Sequence, residues 1–100
     1  MYYDGSVIKI MDFNYAIRIK EGRFLRDGVG IPYYVSPEMI KGRYDLKTDV
    51  WSLGVMMYLM LKGIPPYMGN SQNQILEAIK NFKIDLSAEE NMSEEAKDIL

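Results

Sequence analysis

"DVWSLGVMMYLMLKG", residues 49–63, is the stretch that decides the fold. Between positions 50 and 61 only Ser52 and Gly54 interrupt a run of apolar side chains, so every face of a helix formed here is nonpolar. This composition predicts a helix that is buried on all sides. A membrane span is the competing interpretation, and length disfavours it, because about 12 residues at 1.5 Å each cover about 18 Å of a bilayer core near 30 Å.

Local signals define the ends of this helix and the beginning of two further helices. Thr48 or Asp45 can cap its start, and Gly63 ends it. Further along, Ser71 begins an amphipathic helix in which Ile75, Ile79 and Phe82 form one apolar stripe. Ser93, followed by two glutamates, opens a last helix.

The segments before the long helix are shorter and more polar. "SPEMIKG" places Ser36 as N-cap, Pro37 at the first helical position and Gly42 just past the end, which predicts a helix of one to two turns. Residues 18–31 combine basic side chains with glycines, a composition suited to an exposed and mobile loop. Residues 6–11 predict a short strand whose partner is either the Tyr2–Tyr3 pair or absent.

Composition narrows the class of protein. The chain has 100 residues, 48% of them hydrophobic and 26% charged, which is typical of one globular domain. Its net charge of −2 disfavours nucleic acid as a partner. Cysteine and histidine are both absent, so chemistry must rest on carboxylates, hydroxyls, amides and cations. The first residues do not resemble a secretory signal, which indicates a cytoplasmic protein.

These elements pose a geometrical problem. The three short helices predicted beside the apolar helix cannot cover all of its faces, so the chain is expected to leave apolar surface exposed. The expected fold is mainly α, and the sequence has the character of a part of something larger.

Asp12 is the first candidate for chemistry, because it follows an apolar strand and precedes Phe13 and Asn14. Taken alone, such an acid most often accepts hydrogen bonds from backbone amides of the following turn. The alternative is a cation ligand, since a carboxylate at a strand terminus can meet a hard cation together with phosphate oxygens. The order of later motifs bears on the choice.

That order resembles a known family. "DFN" at 12–14 is followed by "SPE" at 36–38, "DVWSLGV" at 49–55 and "GIPPY" at 63–67. The series resembles the large, C-terminal lobe of a eukaryotic protein kinase. Within the family, "GIPYYVSPE" and "GIPPY" are most similar to the calcium-dependent and calmodulin-regulated Ser/Thr kinases.

The resemblance covers essentially the whole chain. It implies that residues 1–100 are a partial protein kinase domain, running from the strand before an Asp-Phe-Gly-like turn to the start of helix H. The implied fold is a mainly α C-lobe fragment with a short β-strand or hairpin, an activation segment, helices EF, F and G, and the start of helix H.

Roles follow from the resemblance position by position. Asp12 would bind the magnesium ion that bridges the terminal phosphates of ATP, with Phe13 and Asn14 as the hinge of the metal-binding turn. Residues 15–29 would be the activation loop. In that loop Asp27 lies where many kinases are phosphorylated, and it is either a permanent negative charge or a solvated loop acid.

Further implied roles concern substrate and structure. The substrate pocket would comprise Gly30, Ile31, Pro32, Tyr34 and Val35. Glu38, Asp49 and Trp51 would be structural, with Glu38 expecting an arginine partner beyond Leu100 and Asp49 expecting backbone amides of the catalytic loop.

Three positions depart from the family pattern: Asn14, Ile31 and Leu59, the last of which stands where kinases that prefer basic substrates have an acid. Asn14 stands where the family has glycine, and asparagine is the next most tolerant residue of positive φ. Its amide could also bond to Asp12, either holding that carboxylate or competing with the metal. Ile31 replaces a threonine that bonds to the catalytic aspartate and lysine, which isoleucine cannot do.

The family's Gly-rich loop, ATP-site lysine and His-Arg-Asp loop all precede the Asp-Phe-Gly turn, and this chain contains no catalytic residue of that kind. We therefore expect the isolated chain neither to bind ATP nor to transfer phosphate, with Mg²⁺ and ATP belonging to the complete domain. Expected partners are a protein substrate and a calcium-sensing regulatory region, with no nucleic acid and no membrane.

Three functional hypotheses stay open. The chain is part of a Ser/Thr kinase, or a noncatalytic, pseudokinase-like module that binds proteins through helices F and G, or a decayed fragment without function.

Overall fold

The computed structural model describes residues 2–3, 5, 7–28, 30–87 and 92–100. Strand β1, Tyr2–Tyr3, pairs antiparallel with β2, Ile8–Lys9, in the register Tyr2 to Lys9 and Tyr3 to Ile8. Of the two alternatives for the predicted strand, the hairpin is therefore correct. Within the described residues the strand covers positions 8 and 9 of the predicted 6–11, and position 6 lies outside them.

In the part of the chain that the structure describes, four helices follow at the places that the sequence predicts: α1 Pro37–Ile40, α2 Lys47–Lys62, α3 Gln72–Lys80 and α4 Glu94–Ile99. Single 3-10 turns occur at Phe13–Tyr15 and Pro32–Tyr34. Three helices begin at serines whose hydroxyls accept a backbone N–H three residues later. The distances are 3.2 Å for Ser36, 3.3 Å for Ser71 and 3.2 Å for Ser93, so these three predicted caps are confirmed.

The start of α2 differs from the prediction for Thr48. The helix begins at Lys47, which places Thr48 inside its first turn, and Leu46 at the cap position contributes no side-chain hydrogen bond. Asp45 Oδ1 instead accepts the Lys47 N–H at 2.9 Å. The Thr48 hydroxyl lies 3.0 Å from the buried Ser36 hydroxyl, so it joins α2 to the start of α1.

Gly63 ends α2 as predicted. Its φ is +73°, and its N–H donates to the Leu59 carbonyl at 2.8 Å. Glycine adopts this left-handed conformation without the clash of a Cβ atom.

The core forms where α2 and α3 meet the chain around Tyr67. Val55, Tyr67, Ile75 and Ile79 are buried together, and Ile79 is fully inaccessible to solvent. Phe82 lies beyond the end of α3 but still packs on this cluster, with its ring at the edge of Tyr67 at 5.3 Å between centroids. The predicted apolar stripe therefore faces the core.

For α2, the prediction of complete burial is wrong, and the prediction of exposed apolar surface is confirmed. The helix is not buried on all sides, because Val55 is its only buried residue. Val50, Leu53 and Met60 are 66%, 53% and 75% exposed, which is the uncovered apolar surface expected from the shortness of the neighbouring helices. Within the described residues, no helix is both long enough and apolar enough to span a bilayer.

Candidate functional site

The turn after β2 brings Asp12 and Asn14 together. Asp12 has φ 64° and ψ 67°, and it is the one described non-glycine residue with a positive φ. The Asn14 side-chain amide donates to Asp12 Oδ1 at 2.5 Å. The left-handed residue of this turn is therefore Asp12 and not Asn14, because Asn14 lies within the 3-10 turn that follows. Aspartate tolerates this backbone region since its short polar side chain bonds locally.

The carboxylate of Asp12 faces solvent, and Phe13 beside it is 66% exposed. Among the residues that the structure describes, no group of three or more acidic side chains could hold a metal ion by itself. A single accessible carboxylate nevertheless fits magnesium, which is commonly bound by one or two carboxylates together with water and the phosphates of a substrate. The donor set therefore suits an ion shared with a nucleotide and does not suit a self-contained cage.

The loop that follows this turn is exposed, as predicted, but its second half is anchored. Leu25 and Tyr44 exchange backbone hydrogen bonds of 2.8 and 3.1 Å, and the Arg43 guanidinium lies 4.0 Å from the centre of the Phe24 ring. The Tyr44 hydroxyl donates to the Asp27 carbonyl at 2.5 Å, while the Asp27 side chain stays exposed. Burial, with a smaller effect from the Asp27 charge, raises the pKa of Tyr44.

The segment 30–35 is held through its backbone by Tyr67 and by Ser52 of α2. The Tyr33 carbonyl accepts the Tyr67 hydroxyl at 2.5 Å, and the Tyr34 carbonyl accepts the Ser52 hydroxyl at 2.9 Å. Val35 packs against the core cluster.

The other side of the same segment faces outward. Ile31 is 64% exposed, and Pro32 opens the 3-10 turn behind it. Gly30, with φ +123°, turns the chain into the segment, in a conformation that side chains other than glycine rarely adopt. The result is a fixed backbone with an accessible outer face.

The three residues expected to be structural are in different environments. Glu38 and Asp49 are both exposed, in the first turns of α1 and α2. Trp51 packs edge-on against Phe82 at 6.1 Å between ring centroids and lines a groove of about 570 Å³. Its indole Nε1 is buried near the Tyr67 hydroxyl, and among the described residues it makes no hydrogen bond of good geometry.

The structure places the predicted residues in two groups. Asp12, Phe13 and Asn14 form the exposed turn, and the residues of 30–35 form the anchored segment. Within the described part of the chain, no hydrogen bond joins the first group to the second.

Sequence reasoning missed three side chains that anchor the backbone. Tyr44 binds the carbonyl of Asp27, and Ser52 and Tyr67 bind carbonyls of segment 30–35. Ser52 carried a signal, because a hydroxyl inside an otherwise apolar helix needs a partner, and it bonds both to Tyr34 and to the Thr48 carbonyl at 3.2 Å. The two tyrosines gave no local signal.

Comparison with known proteins identifies the family to which the whole chain is similar. The family described as protein kinase domain matches residues 1–100. Calcium-dependent protein kinase 29 of Arabidopsis thaliana is 43% identical over 99 residues, covering 97% of this chain and 18% of the relative. Calcium-dependent protein kinase 26 of Oryza sativa subsp. japonica is 41% identical over 99 residues, with the same coverages.

A relative from a third organism is also a calcium-dependent protein kinase. Calcium-dependent protein kinase 3 of Plasmodium berghei is 41% identical over 106 aligned residues, covering the whole chain and 19% of the relative. The chain thus spans about a fifth of the length of the curated relatives it matches.

Proposed function

The chain belongs to the protein kinase family, and on this premise we propose that residues 1–100 are the part of a Ser/Thr kinase domain that runs from the strand before the metal-binding turn to the start of helix H. In this assignment α1 is helix EF, α2 is helix F, α3 is helix G and α4 begins helix H. The complete domain transfers the γ-phosphate of ATP to protein serine or threonine.

The observation that carries the proposal is the fixed backbone of segment 30–35. Its carbonyls at Tyr33 and Tyr34 are bound by hydroxyls from other parts of the chain, while Ile31 faces outward. A rigid, accessible segment is suited to holding a substrate peptide, because transfer depends mainly on positioning. The loop before it, with Asp27 at its anchored end, acts as the activation loop.

Asp12 is proposed to hold magnesium in the complete domain, together with the phosphates of ATP. When bound, the ion supplies charge neutralisation at the phosphates. The protein's own contribution is the exposed carboxylate, held in a left-handed turn and bonded on one oxygen by Asn14. No residue of this chain is proposed to act as the catalytic base, so the isolated chain is proposed to be inactive.

A chimera tests the assignment. Residues 1–100 would replace the matching 99 residues of the Arabidopsis relative, and transfer of labelled phosphate to a peptide would be measured. The expected result is activity that Asp12→Asn abolishes, because amides are poorer ligands than carboxylates for Mg²⁺. The same assay on the isolated chain is expected to give no turnover above buffer.

A noncatalytic binding module is the second candidate, favoured by two observations: Asn14 engages Asp12, and the outer face of α2 is exposed and apolar. The chimera separates the candidates. Activity only after Asn14→Gly and Ile31→Thr favours the noncatalytic module, whereas a folded chimera that stays inactive with both changes refutes the kinase assignment of this segment.

Regulation is proposed from the names of the relatives, which describe calcium-dependent kinases. The full-length protein is then expected to contain a calcium-sensing region. Its test is a calcium titration of the activity of the full-length protein, in which an unchanged rate would contradict the proposal.

A further inference from the structure

The contact between Asn14 and Asp12 is complete within three residues of sequence. The Asn14 side-chain amide donates to Asp12 Oδ1 at 2.5 Å, and both residues are exposed. Asp12 has a left-handed backbone, and Asn14 lies in the 3-10 turn that begins at the next residue. Because this turn sets the positions of both side chains, the contact needs no residue from the other parts of a larger domain.

The side chain of Asp12 makes no capping hydrogen bond to the turn that follows it. The carboxylate therefore does not serve the backbone amides of that turn, and Asn14 is its described partner. An ionised carboxylate has two oxygens with about four lone-pair sites. The hydrogen bond from Asn14 engages one oxygen and leaves Oδ2 for another ligand.

A cation can bind such a carboxylate through one oxygen or through both. Mg²⁺ requires a near-octahedral set of oxygens at about 2.0–2.1 Å and keeps several waters, so one carboxylate oxygen is enough for it. Ca²⁺ takes about six to eight oxygens at roughly 2.3–2.6 Å, and it accommodates both oxygens of one carboxylate. A carboxylate that offers only one oxygen therefore loses more of its affinity for Ca²⁺ than for Mg²⁺.

The Asn14 amide opposes binding through both oxygens of Asp12. Its N–H hydrogens carry partial positive charge and lie beside Oδ1, where a cation bound to both oxygens would also have to lie. A cation on Oδ2 alone stays farther from the amide. Because the repulsion between like charges falls with distance, the amide selects the arrangement in which one oxygen binds.

We propose that Asn14 is a positioning residue that makes Asp12 a one-oxygen ligand and thereby favours Mg²⁺ over Ca²⁺ at this turn. The inference rests on the proposed function, in which Asp12 holds magnesium beside the phosphates of ATP. It also bears on the proposed regulation, because a protein that responds to calcium has to retain Mg²⁺ at its nucleotide while the Ca²⁺ concentration rises.

Nucleotide binding by the chimera tests the proposal before any phosphate is transferred. The dissociation constants of the Mg²⁺ and Ca²⁺ complexes of a non-hydrolysable ATP analogue are measured by calorimetry without peptide substrate. Asn14→Ala and Asn14→Gly should each strengthen binding of the Ca²⁺ complex by roughly tenfold relative to the Mg²⁺ complex, which is the effect of about one charge-assisted contact. The two variants should agree, because the positive φ of the turn lies at Asp12 and not at position 14.

Asn81→Ala is the matched control. It also removes an exposed asparagine amide, which donates to the Glu77 carbonyl at 3.0 Å at the end of α3, and it should leave the ratio of the two constants unchanged. Calcium bound elsewhere in the chimera affects every variant alike and cancels when each variant is compared with the parent. A second measurement does not need the chimera to fold: asparagine introduced at the matching position of the Arabidopsis relative should weaken binding of its Ca²⁺ complex relative to its Mg²⁺ complex.

The outcomes separate this inference from the proposed function. An unchanged ratio in both Asn14 variants, an equal gain for the two complexes, or a change with glycine alone would each overturn the role of Asn14. The proposed function fails by a different result, namely a metal-dependent nucleotide affinity that Asp12→Asn leaves unchanged. If Asp12→Asn abolishes that affinity while the Asn14 variants keep the parent's ratio, the inference is wrong and the proposed metal ligand stands.

Discussion

Removing the Tyr67 hydroxyl tests whether tertiary hydrogen bonds fix the segment proposed to hold substrate. Tyr67 is 6% exposed, and its hydroxyl reaches the Tyr33 carbonyl across 34 residues of sequence. Tyr67→Phe keeps the ring and its edge contact with Phe82, so the change is confined to the hydroxyl group and the contacts that it makes. It leaves the Tyr33 carbonyl without this donor in a partly buried place.

The expected loss of stability follows from the loss of this hydroxyl group. Leaving a buried acceptor unsatisfied costs about 1–3 kcal/mol, and we expect about 1.5 kcal/mol here because the site is only partly buried. For a chain of this size, each kcal/mol lowers Tm by roughly 4–8 °C, so Tm should fall by roughly 6–12 °C. The measurement is thermal unfolding by circular dichroism at one protein concentration, since association also shifts Tm.

Tyr58→Phe is the matched control. Tyr58 is half-buried at the groove beside Trp51, and the structure describes no hydrogen bond for its hydroxyl. Its removal should change Tm little. If both variants unfold at the same temperature, the Tyr67 hydroxyl does not anchor the segment and the reasoning is wrong.

Three further predictions concern the cap of α1, alkaline pH and the metal-binding turn. Ser36→Ala should lower the free energy of unfolding by about 1–2 kcal/mol in urea titration, because the fully buried hydroxyl both caps α1 and meets Thr48, and no change would contradict this. Burial raises the pKa of Tyr67 and Tyr44, so the folded state holds these protons more tightly, and stability should be full below pH 10 and fall as pH rises beyond about 10. Urea unfolding on both sides of that pH measures the loss, and a stability that rises there would refute it. In the active chimera, Asn14→Ala and Asn14→Gly should shift the Mg²⁺ concentration for half-maximal rate equally, since both free Asp12 Oδ1, and a shift with glycine alone would contradict a side-chain effect.

The parts of the fold that the sequence predicts are those decided by neighbouring residues. Ser36, Ser71 and Ser93 each satisfy a backbone N–H three residues away, so the chemistry of the helix start is complete within one turn. The same locality explains why Gly63 marks the end of α2. Helix starts and ends of this kind can be predicted from the sequence because no distant part of the chain is needed to form them.

The missed contacts depend on distant residues. Tyr44 reaches Asp27 across 17 residues, and Tyr67 reaches Tyr33 across 34. A tyrosine in a loop has the same local pattern whether its hydroxyl binds a carbonyl or water, so only the fold decides. The burial of α2 was overestimated for a related reason, because an apolar composition indicates which faces require cover but not whether this chain supplies it.

The Asp12 turn shows how a local rule can be sound and still select the wrong residue. The expectation that Asn14 would take a positive φ rested on the tolerance of asparagine for that region. A 3-10 turn over Phe13–Tyr15, however, requires negative φ at each of its residues, so the positive φ falls on the residue that precedes the turn. Asp12 takes it, and the Asn14 amide then bonds to its carboxylate. In this structure, asparagine in place of the family's glycine therefore acts through its side chain on the proposed metal ligand, while the backbone of the turn does not require glycine at position 14.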